Sequence, residues 1–412
     1  MAPSPSLAEI LALLAPLSDV LAGRVEDADP PAWCKLRGWT DFLLSLSEAE
    51  LVSCETEGLP ATLPQLAGVP RDLLELGEAV ARVTRLPRLD EPSLGPDEGA
   101  FRSVRARKRL QLPALLGAVS SMAERASRIV DVGAGSGHFT RLSAELFDRE
   151  ALGLERNPDR VAAAEDRLFE EPLAAGAARF LMVDAFADGL SFEPGDLAVG
   201  LHACGALGDR LVSAAAEAKV DLALVSCCLG KIDAPARAPL SRAAAGFSVR
   251  REILGLTNLT QQPQGVEVSL AETQEARLAR HALGDLLRAR GLAIAPGEEA
   301  RGINRRRARK GLRDLAERAL ELRGLPPPTD EELALHEREA RRRYGVVRRL
   351  SLPRSALARV LEIAVVLDRQ AALEEAGLHT VVATVFDRAV SPRNLGLFAS
   401  RSSEGLPRVG RR

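Results

Sequence analysis

The stretch Ile129-Val130-Asp131-Val132-Gly133-Ala134-Gly135-Ser136-Gly137-His138-Phe139 decides how the chain reads. A short apolar run feeds an acidic residue, then Gly-x-Gly-x-Gly, and a helical pattern begins at once. A buried parallel strand that turns into a helix beneath a bound nucleoside has this form, because side chains at the glycines would block the ligand or clash with the turn. A tight strand–helix turn without a ligand is the plainer reading of the glycines alone. Two further acidic positions favour the ligand. Glu155 ends the next expected strand, 20 residues after Gly135, where a carboxylate accepts from ribose hydroxyls. Asp184 ends the third, in Val183-Asp184-Ala185, where it accepts from an adenine amino group.

The same alternation continues outward. Helix 103–126 precedes strand 128–132, helix 138–147 precedes strand 150–155, and helix 158–170 precedes strand 178–183. Strand 196–201 leads to helix 206–217, and strand 221–226 to a loop. Helix 353–376 and strands near 379–386 and 394–400 complete the pattern, the last two as an antiparallel pair around Asp387–Arg393. Apolar strands alternating with helices predict an α/β, Rossmann-like sheet of seven mostly parallel strands covered on both faces. Ligands of such sheets bind at the carboxyl ends of the strands, near the switch in strand order.

The flanks read as helical. Residues 6–23 and 41–85 carry leucines at helical spacing, among them Leu11, Leu14, Leu17 and Leu21, and the stretch from Pro87 to Gly99 reads as a linker or loop. Residues 232–352 hold helices near 270–290, 302–323 and 329–344, too much chain for a simple loop. The expected organisation is a helical N-terminal domain (1–95), a nucleoside-binding domain (96–231 and 353–412) and a helical insertion (232–352).

Composition narrows the setting. A formal net charge of −2 and 46% hydrophobic residues among 412 exclude a global pull toward nucleic acid or membrane and allow a full core. Five cysteines at irregular spacing do not make a disulfide scaffold. The start Met1-Ala2-Pro3-Ser4-Pro5 lacks the basic region of a signal peptide, and no apolar run is long enough for a bilayer. The expected location is cytoplasmic.

Two cofactors compete for the turn. Nicotinamide enzymes prefer Gly-x-Gly-x-x-Gly, and here His138 stands at the last position while the third glycine comes one residue early, at Gly137. Gly-x-Gly-x-Gly after an acidic residue, with Asp184 downstream, instead resembles class I S-adenosylmethionine (SAM) methyltransferases. Leu201-His202-Ala203-Cys204-Gly205 after the fourth strand and Ser226-Cys227-Cys228-Leu229-Gly230-Lys231 after the fifth sharpen this. With Arg107-Lys108 and Ser391-Pro392-Arg393-Asn394, they resemble a branch holding the methyltransferase-like protein 25 group and the acceptor-stem tRNA 2′-O-methyltransferases. The resemblance covers about residues 100–230 and 355–400. It departs at Leu110 and Gln111, where the branch carries His and Glu, and at Leu229 and Gly230, where it often carries an aromatic or His.

The resemblance implies cofactor contacts at Asp131, Gly133, Ala134, Gly135, Gly137, Glu155, Arg156, Asp184, Ala185 and His202. It implies acceptor contacts at Lys108, Cys227, Cys228, Lys231, Arg393 and Asn394. His202 is the candidate base or acceptor-orienting group; a hydrogen-bonded, cofactor-lining histidine is the plainer reading. The cysteines read as small hydrophobes beside the cofactor rather than as a zinc or redox module. Arginine-rich runs at 301–313, 341–349 and 102–109 suit a structured RNA read through its phosphates. The same runs also fit a solvated face balanced by Glu331, Glu332, Glu337 and Glu339. Aromatics at 3% argue against stacking of unpaired bases. A protein acceptor, a non-catalytic SAM-fold RNA- or ribosome-binding protein and a nicotinamide oxidoreductase are the rivals.

Overall fold

The computed structural model describes residues 4–25, 28–90, 92–95, 106–170, 172–173, 175–201, 203–226, 228–260, 269–294, 297–388 and 390–410. His202 and Cys227 lie outside the described residues, as do residues 103–105 of the expected first helix. The chain forms two compact units. One comprises Met1–Ala12, Val83–Gln261 and Arg359–Arg412, the other Leu13–Arg82 and Gln262–Ala358.

The first unit is built on a seven-stranded sheet. Its strands are β1 (Arg128–Val132), β2 (Glu150–Glu155), β3 (Ala177–Met182), β4 (Asp196–Leu201), β5 (Asp221–Val225), β8 (His379–Thr384) and β9 (Leu395–Ser400); two short strands, β6 (Ala236–Arg237) and β7 (Val249–Arg250), pair apart from it. The order is β3-β2-β1-β4-β5-β9-β8. The pairs from β3 through β5 are parallel, and β9 runs antiparallel to both β5 and β8. This is the Rossmann-like methyltransferase sheet that the alternation predicts, with its antiparallel last pair. The strand order reverses between β1 and β4, so the carboxyl edge there is the crevice.

Burial follows the sequence pattern. Ile129, Val130, Leu197, Ala198, Leu222, Leu224, Leu397 and Phe398 are almost fully buried, as strands covered on both faces require. At the opposite edge Arg128 clamps β1 to β4: its Nε and Nη2 donate to Asp196 Oδ1 and Oδ2 at 2.9 and 2.7 Å. The segment read as a linker is partly tied down. Leu89 N–H donates to Thr384 O at 3.1 Å, Thr384 N–H to Pro87 O at 2.8 Å and Asp90 N–H to Arg408 O at 3.0 Å.

Prolines and glycines break the long expected helices. Pro16 divides residues 6–23 into Leu7–Leu14, a 3-10 turn Ala15–Leu17 and Ser18–Ala22. Residues 41–85 become a series of short helices ending in Arg71–Val83. Gly311, at φ +96°, separates a 3-10 turn Arg305–Lys310 from the helix Leu312–Glu321, so the basic run does not open a helix. The helix Asp330–Leu350 starts from a capping box of Thr329 and Glu332 and runs past the expected 344.

The compact units divide the chain differently from the expected three parts, because the N-terminal helices and the insertion carry complementary groups. Buried Glu55 accepts from Arg348 and from Gln274 Nε2, and Arg349 Nε donates to Leu46 O. No helix among the described residues is long and apolar enough to cross a membrane.

Replacing Asp196 with Ala leaves Arg128 without its bidentate partner and should cost about 2–4 kcal/mol of unfolding free energy. Urea unfolding read with amide exchange on β1 and β4 checks this; an unchanged midpoint would refute the clamp.

Candidate functional site: a cofactor cradle at the β1–β4 switch

The turn leaving β1 takes three glycines with positive φ: 78° at Gly133, 63° at Gly135 and 70° at Gly137. The three have different surroundings. Among the described residues a Cβ on Gly135 would find only Gly133 O, 3.9 Å away, so they leave that side of the turn open. A Cβ on Gly137 would lie 2.4 Å from Phe180 Cζ and 3.0 Å from Ala164 Cβ. Gly153 on β2 yields to the same ring, its Cβ position being 2.4 Å from Phe180 Cδ1. Gly137 therefore serves packing under Phe180, while Gly135 supplies the open floor that a ligand needs.

Glu155 locks the turn. Its Oε2 accepts from Gly135 N–H at 3.0 Å and its Oε1 from Asn157 N–H at 3.0 Å, with the side chain almost buried. Each carboxylate oxygen has a further lone pair, so the group can hold the turn and still accept from a diol. Beneath the turn Asp131, 2% exposed, accepts from Thr140 Oγ1 at 2.7 Å. Burial pushes its pKa up to about 6, against the opposing pull of the Thr140 hydrogen bond and the Lys108 charge. Asp131 thus acts from under the backbone rather than from the open face, and Thr140 is the partner that sequence reading missed.

Asp184 stands past β3. Its Oδ1 accepts from Phe186 N–H at 2.9 Å, and its main chain bonds twice to Asp188, closing a tight turn in which Asp184 is half-buried. Ala185 is buried beside it, and Arg156 is exposed. His138, half-buried at the start of the helix His138–Phe147, is held neutral: burial, then the charges of Arg167, Lys108 and Arg141, lower its pKa to about 4. Lys108 therefore sits within electrostatic reach of both Asp131 and His138.

The loops after β4 and β5 are clasped. Ala206 N–H donates to Lys231 O at 3.0 Å, and a Cβ on Gly205 (φ +51°) would fall 2.1 Å from that oxygen. Only glycine allows this approach. Cys228 is half-buried with a free thiol, Lys231 is exposed and Leu229 is buried. Cys204 is disulfide-bonded, which departs from the reading of the cysteines as plain hydrophobes. Among the described residues no cluster of His, Cys, Asp and Glu is arranged for a metal.

Arg393 and Asn394, expected at the acceptor, are buried. Arg393 Nη2 donates to Asn258 Oδ1 at 2.9 Å; Asn394 Nδ2 donates to Phe386 O at 3.0 Å and its Oδ1 accepts from Arg359 at 2.8 Å. These bonds tie the residues just before β9 to Asn258, to the chain leaving β8 and to Arg359. At the departures, Leu110 is exposed and Gln111 buried.

Sequence reading also missed a buried group of charges behind the clasp: Asp209, Arg237, Asp368 and Arg369. Its legible trace is the pair Asp368-Arg369 directly after the apolar run Ile363–Leu367.

Comparison with known proteins agrees with this geometry. Residues 107–235 match a protein-family model described as a methyltransferase domain. That match supports reading the segment as a methyltransferase domain with SAM as its cofactor, against the nicotinamide alternative. The chain is similar to the glutathione S-transferase C-terminal domain-containing protein of Xenopus laevis, 30% identical over 141 residues, 33% of this chain and 22% of the relative. Its Drosophila melanogaster homolog is 31% identical over 127 residues, 31% of this chain and 21% of the relative. The chain thus matches about a fifth of the length of these curated relatives. Among solved structures, magnesium protoporphyrin IX methyltransferase of Synechocystis with bound SAH overlaps 32% of this chain and 60% of its own, at 16% identity and TM-score 0.25. The cyclopropane synthase MmaA2 of Mycobacterium tuberculosis overlaps 74% and 98%, at 14% identity and TM-score 0.23. Overlaps this loose add no argument to the strand order described above.

Two outcomes follow. Glu155→Ala should weaken SAM binding at least ~10-fold, about 1.4 kcal/mol, in titration calorimetry; unchanged affinity would remove Glu155 from the site. Asp131 carries a raised folded-state pKa, so its contribution to stability is greatest below about pH 4 and is lost as pH rises through about 6. Asp131→Asn should therefore stabilise the cofactor-free fold at pH 7, by on the order of 1–3 kcal/mol, and less at pH 4.5. Equal gains at the two pH values would refute the burial cost.

Proposed function

We propose that this chain transfers the methyl group of S-adenosylmethionine to a structured RNA, a tRNA or rRNA, in the cytoplasm. The observation that carries the transfer chemistry is the cradle in which Glu155 bonds Gly135 N–H beside an open glycine floor, at the switch between β1 and β4. In this reading Glu155 holds the ribose hydroxyls and Asp184 the adenine amino group, while neutral His138 adds no positive charge beside a cationic ligand.

When bound, SAM supplies an electrophilic methyl on a sulfonium, open to in-line displacement. The protein's part is to bring the acceptor close, align it and exclude water, and proximity of this kind is worth up to ~7–11 kcal/mol. An acceptor hydroxyl or amine must also lose a proton, and His202 is the group assigned to take or orient it. The clasped loops after β4 and β5 carry the motifs flanking that step.

The acceptor class is supported by the resemblance of the motifs at 107–108, 202–205, 227–228 and 391–394 to the methyltransferase-like protein 25 group and the acceptor-stem tRNA 2′-O-methyltransferases. Charge supports it more narrowly than the sequence suggests. In the second unit many arginines are spent on carboxylates: Arg341 on Glu275, Arg343 on Asp285, Arg348 on Glu48 and Glu55, and Arg313 on Asp330. Arg309, Lys310, Arg338 and Arg342 are exposed without an ion pair among the described residues, and these are the cations left for phosphates.

Labelled methyl transfer into fractionated RNA, protein and metabolites tests the reading directly. Label should enter RNA, and His202→Ala should abolish transfer while SAM still binds. Joint Ala replacement of Arg338 and Arg342 should weaken RNA binding and make it less salt-dependent. Label in protein alone would replace the acceptor class. RNA binding without transfer would identify a non-catalytic RNA-binding protein, and no SAM binding at millimolar concentration would overturn the central assignment.

A further inference from the structure

Four charges lie behind the clasped loops, two of each sign. Asp368 is fully buried, the side chains of Arg369 and Arg237 are 1% and 2% exposed, and that of Asp209 is 15% exposed. Arg237 forks onto Asp209, Nε to Oδ2 at 2.9 Å and Nη2 to Oδ1 at 3.0 Å, and its Nη1 donates to Asp368 Oδ2 at 2.7 Å. Asp368 is saturated further by Leu240 N–H and by the N–H and Oγ of Ser241. These bonds leave the guanidinium of Arg369 as the one that faces the sheet edge.

The three nitrogens of that guanidinium go to three different residues, two at the start of the helix that follows β4 and one just after β5. Nε donates to Asp209 Oδ1 at 2.8 Å, Nη2 to Gly205 O at 2.9 Å and Nη1 to Ser226 Oγ at 2.5 Å. Gly205 lies three residues after His202, and Ser226 directly precedes Cys227. Gly208 has no side chain to intrude, and a Cβ there would be 2.9 Å from Arg369 Nη2. A planar, always-charged fork with five donors reaches all three acceptors at once, which an ammonium does not.

We infer that Arg369 is a positioning residue for methyl transfer: it sets the loops after β4 and β5 in register with each other, and so governs turnover rather than cofactor affinity. The inference rests on the methyltransferase reading above. Its geometry separates the two effects. The glycine turn, Glu155 and Asp184 follow β1, β2 and β3, whereas the hydrogen bonds of Arg369 among the described residues go to segments following β4 and β5. Keeping charge at the site without the fork should loosen one half of the carboxyl edge and leave the other half intact.

The test uses the full-length chain with Arg369→Lys and Ser226→Ala. Arg369→Lys should lower kcat at least tenfold, with the SAM dissociation constant within threefold of wild type. Ser226→Ala should lower kcat less, and the double variant should fall no further than Arg369→Lys, because Arg369→Lys already breaks the one bond that Ser226→Ala removes. Amide exchange provides a readout independent of turnover. In Arg369→Lys, the Ala206 amide, whose N–H reaches Lys231 O, should exchange at least tenfold faster while the Gly135 amide keeps its protection. Unchanged Ala206 exchange in a folded Arg369→Lys protein overturns the inference, as does a kcat loss matched by an equal loss of SAM affinity. A wild-type chain that transfers no methyl group overturns the proposed function instead, and the exchange result alone then decides whether Arg369 sets the loops. Should Arg369→Lys fail to fold, Ser226→Ala takes the same two readouts, and unchanged kcat together with unchanged exchange overturns the inference.

Discussion

A carboxylate at the end of β2 holds the backbone of the turn that leaves β1, and the cofactor side of the sheet is organised around that bond. A parallel strand must hand its chain to a helix within a few residues, and the N–H groups of that turn have no ladder partner. Glu155 satisfies one of them, at Gly135, and draws β2 and the turn together. Because the acceptor is a charged group with lone pairs to spare, the bond that shapes the turn also leaves at its rim a carboxylate able to accept from a diol. In the proposed function one side chain then serves both scaffold and ligand.

That economy carries a cost beneath the turn. Asp131 is buried with one hydroxyl partner, and its pKa rises accordingly. Buried charge of this kind weakens a fold, so its presence under a ligand-binding turn fits the pattern of functional sites held against stability. Arg128 and Asp196 at the opposite edge do the reverse: full bidentate pairing binds β1 to β4, the two strands at the switch.

The central sheet was legible in the sequence because its strands are short apolar runs between caps and glycines; the limits read for β1, β2 and β4 agree with the structure. The strand-end positions of Glu155 and Asp184 were legible because one helix and one strand lie between the glycine turn and Glu155, and two of each between the turn and Asp184. The helical regions were read less well. Leucine spacing marks a helix but does not show that Pro16 and Gly311 interrupt one. Nor does periodicity show that Glu55 and Arg348, far apart in sequence, share an ion pair. Arg393 and Asn394 were recognisable as a motif, yet a motif does not distinguish a residue that meets substrate from one that pins a strand, and both are buried.

The distinction bears on how the sheet divides its work. Local signals report the cofactor half, since a glycine turn and its carboxylates lie close together in sequence. The other half is assembled from distant pieces: Gly205 and Asp209 after β4, Ser226 after β5, Arg237 further on, and Asp368 with Arg369 from the last long helix. Apolar residues of equal volume fill such a space at no loss of stability, and often at a gain. Apolar packing, however, is tolerant of small slips, whereas a guanidinium that must meet a carbonyl, a hydroxyl and a carboxylate in one plane is not. Directional bonds at this place make sense if the two loops must keep one spacing, and a reaction that depends on alignment supplies that requirement.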